Sequence, residues 1–358
     1  MSSSYDHGGN VFTAARTLGI EVDQILDFSA SITPLGMSAM VRKALICSLD
    51  RLIHYPDTSH KELKQALAKQ YGLSPACFTI ANGSTELIYN LPVMLNGKKA
   101  LIISPSFSEY VRALGQHHWE THHFILSPEN NFAIEIDKLE RALADGYDAL
   151  YFCNPGNPSG TLYPHQVVEK IYSLCLAAGT FLVLDEAFMD FCEESSAKNM
   201  VVHSDNAIVL RSMTKFYGIP GLRLGYAISS VTLAERLDSM GGPWSVNTLA
   251  LAAGVAALED VQHTMETLEC IRQERREMFE RLDQYPHFTV YPSSANYLLV
   301  EIKGGMTARE LKERLHPCRI LIRDCSTFMG LTDHFFRIAV RSSRDNARLL
   351  ENLVRIFK

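Results

Sequence analysis

Lys215 follows two hydroxyl residues, Ser212 and Thr214, and Arg223 comes shortly after, with Gly218, Gly221 and Gly225 spaced around them. A lysine amine can condense with an aldehyde cofactor to give a Schiff base. Hydroxyls and an arginine beside it can hold a phosphate dianion, the arginine through charge-assisted bonds. An ordinary surface lysine next to a glycine-rich loop would also give this segment. Asp185-Glu186-Ala187-Phe188 directly follows the apolar run Phe181–Leu184. A carboxylate there can pair with a pyridinium nitrogen and keep the ring protonated as an electron sink, although an aspartate that only caps a turn is common. Asn154-Pro155-Gly156-Asn157-Pro158 forms a rigid turn in which Asn157 can donate to a phenolic oxygen, or serve as a plain turn. Gly83-Ser84-Thr85 opens an apolar helical stretch and offers backbone N–H groups to an anion, or is a simple helix start.

These residues need a scaffold that brings them together. The runs 100–104, 149–153, 181–185 and 207–211 read as buried strands, and 108–115, 137–144 and 164–178 carry helical spacing. Alternation of this kind predicts parallel strands with covered faces, and ligands at their carboxyl ends. The last third predicts one or two long helices over 248–282. Strands follow at 289–291, 297–302, 319–323 and 335–340, with helices at 307–315 and 343–357, which makes a smaller α+β unit. The expected division is an N-terminal arm with part of the small domain (1–45), a large cofactor-binding domain (46–245), and an interdomain helix with the small C-terminal domain (246–358).

The 358 residues are 47% hydrophobic, enough for a large core, and the formal net charge is -6 with no basic block, which argues against nucleic acid. No apolar run is long enough for a bilayer, and residues 1–9 are polar without a signal pattern, so the expectation is a cytoplasmic protein with no membrane partner. The eight cysteines form no CxxC pair and read as core thiols. The His117, His118, His122 and His123 group lacks a nearby carboxylate cluster and reads as a solvated polar edge; no metal is expected.

The order, spacing and strand-end placement of the four motifs resemble the fold-type I pyridoxal-phosphate enzymes over nearly the whole chain. The resemblance implies an α/β fold: a large domain with a mostly parallel seven-stranded sheet plus a small α+β domain. It implies pyridoxal 5'-phosphate as cofactor and a catalytic set of Lys215, Asp185 and Tyr110. Lys215 matches the Schiff-base lysine, Asp185 the partner of the ring nitrogen, and Asn157 the partner of the phenolic oxygen. Gly83, Ser84, Thr85, Ser212, Thr214 and Arg223 match the phosphate cup, and Tyr110 the aromatic stacked on the ring. Tyr55 matches a tyrosine that reaches the phosphate from a second subunit, which implies a homodimer with shared active sites. Arg337 matches the grip on the substrate carboxylate. Phe188 stands where many aminotransferases carry a tyrosine.

Within that group the chain is most similar to the threonine-phosphate decarboxylases of cobalamin biosynthesis, relatives of the histidinol-phosphate aminotransferases. His7-Gly8-Gly9-Asn10, the segments 26–36, 185–191 and 243–247, and 319–324 carry the similarity, with Ser31 and Thr33 where the decarboxylases usually have asparagines. The implied reaction is decarboxylation of L-threonine O-3-phosphate. A phosphorylated substrate needs a second anion site, for which Arg323 is the candidate, with His7 and the backbone of Gly8, Gly9 and Asn10 as a lid; Arg323 in an ion pair with Asp324 is the other reading. Serine phosphate decarboxylation, histidinol-phosphate-type transamination and a non-catalytic cofactor-binding regulator are the alternatives. The choice between losing CO2 and losing the α-proton is a matter of orientation, because only the bond held perpendicular to the cofactor ring breaks.

Overall fold

A computed structural model describes residues 8–358. The first half runs through α1 (Val11–Leu18), β1 (Leu26–Asp27), α2 (Ala39–Cys47), α3 (Lys61–Tyr71), β2 (Phe78–Ala81), α4 (Ser84–Leu95), β3 (Lys99–Ser104), α5 (Glu109–Gln116), β4 (Glu120–Ile125) and α6 (Ile136–Leu143). The middle continues with β5 (Ala149–Cys153), α7 (His165–Ala178), β6 (Phe181–Asp185), α8 (Lys198–Val201), β7 (Ala207–Ser212), β8 (Gly225–Ile228) and α9 (Val231–Met240). The last part is α10 (Thr248–Glu259), α11 (Val261–Asp283), β9 (Phe288–Val290), β10 (Tyr297–Ile302), α12 (Ala308–Leu315), β11 (Ile320–Leu321), β12 (Arg323–Asp324), β13 (Phe335–Ala339) and α13 (Ser343–Phe357).

Seven strands form the central sheet in the order β2-β8-β7-β6-β5-β3-β4. Strands β5, β6 and β7 are buried at every residue, as continuous apolar runs covered on both faces must be. Helix α6 buries Leu139 and Leu143, and α7 buries Val168, Ile171, Leu174 and Cys175, so each turns one stripe to the core. Strands β4, β3, β5, β6 and β7 run parallel. Strand β8 is antiparallel to both β7 and β2, because residues 213–224 turn straight back into the sheet without a crossover helix.

The sequence pattern locates β5 and β6 to the residue but not β2, β4 or β8. Strand β4 contains His122 and His123 and lies at the sheet edge, so it lacks the apolar run by which its neighbours announce themselves. The histidines find local partners: His122 Nε2 contacts Glu120 Oε1 at 2.6 Å, and His123 Nδ1 contacts Ser104 Oγ at 2.8 Å.

The second sheet is antiparallel with order β12-β13-β10-β9, and a further parallel pair joins β1 to β11. The single strand expected over 319–323 is therefore two short ones. Ile320–Leu321 pairs with the N-terminal segment and Arg323–Asp324 with β13, after Arg319 takes a left-handed turn at φ 62°. The long helix α11 turns Ile271, Met278 and Leu282 onto this unit, and Asn346 Nδ2 on α13 donates to Glu274 Oε2 at 2.8 Å. The alanines of α10 pack with α2 and α3 in the core of the large sheet. Ala187, Phe188, Ala295 and Tyr297 make a small cluster where the two units meet. Among the described residues no helix is long and apolar enough to cross a membrane. Cys77, Cys153, Cys175, Cys192 and Cys325 are buried free thiols.

Candidate active site

Parallel strands in register bring their carboxyl ends to one edge. Cys153 aligns with Asp185, and Ser212 ends the next strand, so the loops that follow all open into one cavity of about 820 Å³. Lys215, Asp185, Asn157, Ser84, Thr85, Ser212, Thr214, Arg223, Arg323, Arg337 and Gly8 all line it.

Asp185 is buried, and burial pushes its carboxyl above the usual carboxylate range against the pull of its partners. Those partners are the Tyr110 hydroxyl, donating to Oδ2 at 2.5 Å, and the Ala187 N–H, donating to Oδ1 at 2.9 Å. Lys215 Nζ donates to Ser212 Oγ at 3.0 Å and lies 5.2 Å from the centre of the Phe188 ring. Burial holds the Lys215 amine below the usual lysine range, the Asp185 charge opposes that, and Arg223 and Arg337 add to it. A desolvated amine with a lowered pKa is a better nucleophile and proton carrier near neutral pH.

A second set of groups gathers around α4. Its N-cap, Gly83, has φ 78° and no side-chain cap, so the first N–H groups of the helix are left for another acceptor. A Cβ at Gly83 would stand 2.6 Å from Arg223 Nη2, so the guanidinium rests against the turn where only glycine fits. Burial lowers the Arg223 pKa, and no carboxylate pairs with it among the described residues. Ser212 Oγ and Thr214 Oγ1 are 2.8 Å apart on the same wall. This donor set is built for a dianion.

Asn154 locks the neighbouring turn through Asn154 Oδ1, which accepts from Tyr163 N–H at 2.9 Å. Asn157 then presents its amide to the cavity, with Oδ1 accepting from Arg337 Nη1 at 2.5 Å. Arg337 is buried above the Tyr297 ring, 4.8 Å from guanidinium carbon to ring centre, and its Nη2 donates to the Ser29 carbonyl at 3.2 Å. Arg323 is its cross-strand neighbour and lies 5.6 Å from the centre of the Phe328 ring. The residues present fit a planar aromatic aldehyde that carries a phosphate: an amine, a buried carboxylate, a phosphate cup, and an amide to reach a phenolic oxygen.

Two expectations, for Tyr110 and for Asn10, are altered. Tyr110 does not stack over the cavity. Its ring is buried behind Asp185, because it lies in the first turn of α5 on the face turned to the sheet, and Phe107, just ahead of the helix, lines the cavity instead. Asn10 is exposed at the N-cap of α1 and faces a small neighbouring cleft, whereas Gly8 and Gly9 line the main cavity. Tyr55 is 78% exposed, stacked on Trp244 at 4.5 Å, and takes no part in the cavity of its own chain. His7 lies outside the described residues. Phe107, Asp27 and Ser29 are cavity residues that sequence reasoning missed. The signal for Phe107 was available, since it follows the strand-end segment Ser104-Pro105-Ser106. Asp27 and Ser29 lie in the 26–36 segment that carries the family resemblance, but strand β1 is two residues long and gives no periodicity by which to place their side chains.

Residues 23–355 match the model of the family "Aminotransferase class I and II". The chain is 40% identical over 349 residues to the threonine-phosphate decarboxylase of Salmonella typhimurium, covering 97% of this chain and 95% of that one. It is 34% identical to a putative threonine-phosphate decarboxylase of Caldanaerobacter subterraneus, covering 99% and 94%. Among solved structures, the L-threonine-O-3-phosphate decarboxylase of Porphyromonas gingivalis is similar with a TM-score of 0.80 at 28% identity, covering 92% of this chain and 98% of that one. The histidinol-phosphate aminotransferase of Clostridium acetobutylicum superposes with a TM-score of 0.84 at 27% identity, with the same coverage.

Proposed function

The chain belongs to the class I and II aminotransferase family and uses pyridoxal 5'-phosphate, and we propose that it decarboxylates L-threonine O-3-phosphate to (R)-1-aminopropan-2-yl phosphate and CO2 in cobalamin biosynthesis. The observation that carries this reading is the presence of two separate cationic stations in one cavity. Arg223 and the Gly83 turn serve the cofactor phosphate. Arg337 and its cross-strand neighbour Arg323 stand on the opposite sheet and serve a substrate with two anionic ends. A plain amino acid needs only one of those two arginines.

When bound, the cofactor supplies an aldehyde that takes up amines and a ring that accepts the electron pair of a bond broken at the α-carbon. Lys215 is the amine that holds it, and afterwards the group that delivers a proton to the α-carbon. Asp185, held by the Tyr110 and Ala187 bonds, is the carboxyl that would face the ring nitrogen and hold a proton there. Asn157 spends Oδ1 on Arg337 and keeps its N–H bonds for the phenolic oxygen. Arg337, braced by Asn157 and the Ser29 carbonyl, sets the plane of the substrate carboxylate and thereby which bond lies perpendicular to the ring. Arg323 takes the substrate phosphate, and the Gly8-Gly9 backbone lies over the cavity as a lid. Phe188 leaves the phenolic oxygen without the hydroxyl that a tyrosine would offer.

Tyr55 and the exposed apolar residues Ile46, Leu49, Leu52 and Ile53 support a homodimer in which Tyr55 completes the phosphate cup of the second copy. A cytoplasmic setting suits an enzyme of this kind. The test is CO2 release from threonine phosphate and serine phosphate side by side, because a methyl group separates them by only ~1–3 kcal/mol. The reading is lost if histidinol phosphate and 2-oxoglutarate give glutamate while neither amino acid phosphate gives CO2.

A further inference from the structure

The segment that follows β1 is pinned on both sides of Ser29. Phe28 N–H donates to the Leu321 carbonyl at 2.8 Å, and the Phe28 carbonyl accepts from Ala339 N–H at 2.9 Å. Beyond it, the Ser31 carbonyl accepts from Asn296 Nδ2 at 2.9 Å, and Thr33 N–H donates to the Lys215 carbonyl at 3.1 Å. The chain is therefore anchored on either side of Ser29, once on the lysine loop itself, while the Ser29 peptide spans between the anchors and is held by its own contacts.

Each polar group of Ser29 is used. Its carbonyl accepts from Arg337 Nη2 at 3.2 Å. Its hydroxyl donates to Asp27 Oδ1 at 2.6 Å and accepts from Gly9 N–H at 2.8 Å. Its own N–H donates to the same Asp27 oxygen at 2.8 Å. Asp27 thus sets the rotamer that lets the hydroxyl receive Gly9. Gly8 closes the contact from above: a Cβ there would stand 2.0 Å from the Ser29 carbonyl oxygen. The oxygen that braces Arg337 is the same one against which the N-terminal segment rests. Gly8, Gly9, Val11 and Phe12 all line the cavity.

Building on the reaction proposed above, we propose that Ser29 is a positioning residue that couples closure of the segment 8–12 over the cavity to the orientation of Arg337, and so to its grip on the substrate carboxylate. The latch is the Gly9–Ser29–Asp27 chain, and the brace is the Ser29 carbonyl. Lifting the segment frees the carbonyl to move and slackens the guanidinium, while the phosphate cup around Arg223 lies apart from this path.

The test compares holoenzyme variants Ser29→Ala and Gly8→Ala with two ligands that differ in the carboxylate. One is threonine phosphate, read as KM and kcat. The other is the carboxylate-free (R)-1-aminopropan-2-yl phosphate, read as Ki. Loss of a hydrogen-bonded brace on a charged group predicts about a tenfold rise in KM with a fall in kcat, while Ki changes less than about twofold. The visible cofactor spectrum and cofactor affinity stay at the wild-type values. Equal weakening of both ligands shows that the segment only shields the phosphate and overturns the coupling. Unchanged constants in both variants overturn the latch. Absence of any CO2 from threonine phosphate with the wild-type protein is seen before a variant is made; it defeats the assigned reaction and takes this inference with it.

Discussion

Lys215 and Asp185 titrate against each other. Burial moves the amine down and the carboxyl up, and each charge draws the other back towards its ionised form. Below its midpoint Lys215 carries a proton and cannot add to an aldehyde; above it the amine is free. Cofactor uptake by the apo-protein should therefore show a pH midpoint below the lysine range of about 10.4. Asp185→Asn should lower that midpoint further, since the attraction that keeps the ammonium charged is removed. The growth rate of the visible band after mixing, followed against pH, reads both effects; a higher midpoint in Asp185→Asn contradicts the pairing. Tyr110 gives a second test. Tyr110→Phe keeps the ring but removes the donor to Asp185, so cofactor affinity should weaken by about tenfold in equilibrium dialysis. A stacking role for Tyr110 predicts no change. Lys215→Ala should abolish turnover, since no other lysine lines the cavity among the described residues.

At the scale of elements, the site depends on strand ends and on one helix start. Gly83→Ala places a methyl 2.6 Å from Arg223 Nη2 at a backbone position with φ 78°. The backbone at φ 78° and ψ 155° is one that essentially only glycine adopts and costs alanine about 1–3 kcal/mol, and the displaced guanidinium loses its place beside the α4 N–H groups. Cofactor affinity should fall, and the fall should shrink when phosphate-free pyridoxal replaces pyridoxal phosphate. A similar loss for both ligands would place the damage outside the phosphate cup. The strands that end in Asp185 or lead into the loops of Asn157 and Lys215 were legible because burial on both faces demands continuous apolar runs. The edge strand β4 and the antiparallel β8 escaped, because a half-exposed edge and a short return strand leave no such pattern. The split of 319–323 into β11 and β12 escaped for a related reason: each piece is too short for periodicity, and pairing partners far along the chain decide its sheet.

For the whole molecule, the exposed Tyr55 calls for a partner. In a dimer with shared sites, mixing inactive Lys215→Ala with weakened Tyr55→Phe chains yields heterodimers in which one site has both wild-type residues. Activity above that of either parent, at about half a wild-type site per chain at most, is the expected outcome. Separate sites give no recovery, and sedimentation as a monomer excludes the arrangement outright.

The identity of the chemical groups was settled by the linear order of residues. A lysine past two hydroxyls, an acid at the end of an apolar run, an asparagine between prolines and a glycine at a helix start are local features, and a reader of the chain can find each by itself. Their common destination was only an inference from strand-end logic, and which face each side chain turns inward was beyond it. Tyr110 and Phe107 are three residues apart, yet one lies behind Asp185 and the other lines the cavity, because Tyr110 sits in the first turn of α5 with its ring against the sheet while Phe107 precedes the helix. Arg337 meets Asn157 and Ser29 across long stretches of chain, and that meeting exists only when two sheets close on one another. Local sequence encodes what a residue can donate or accept; non-local packing decides to whom.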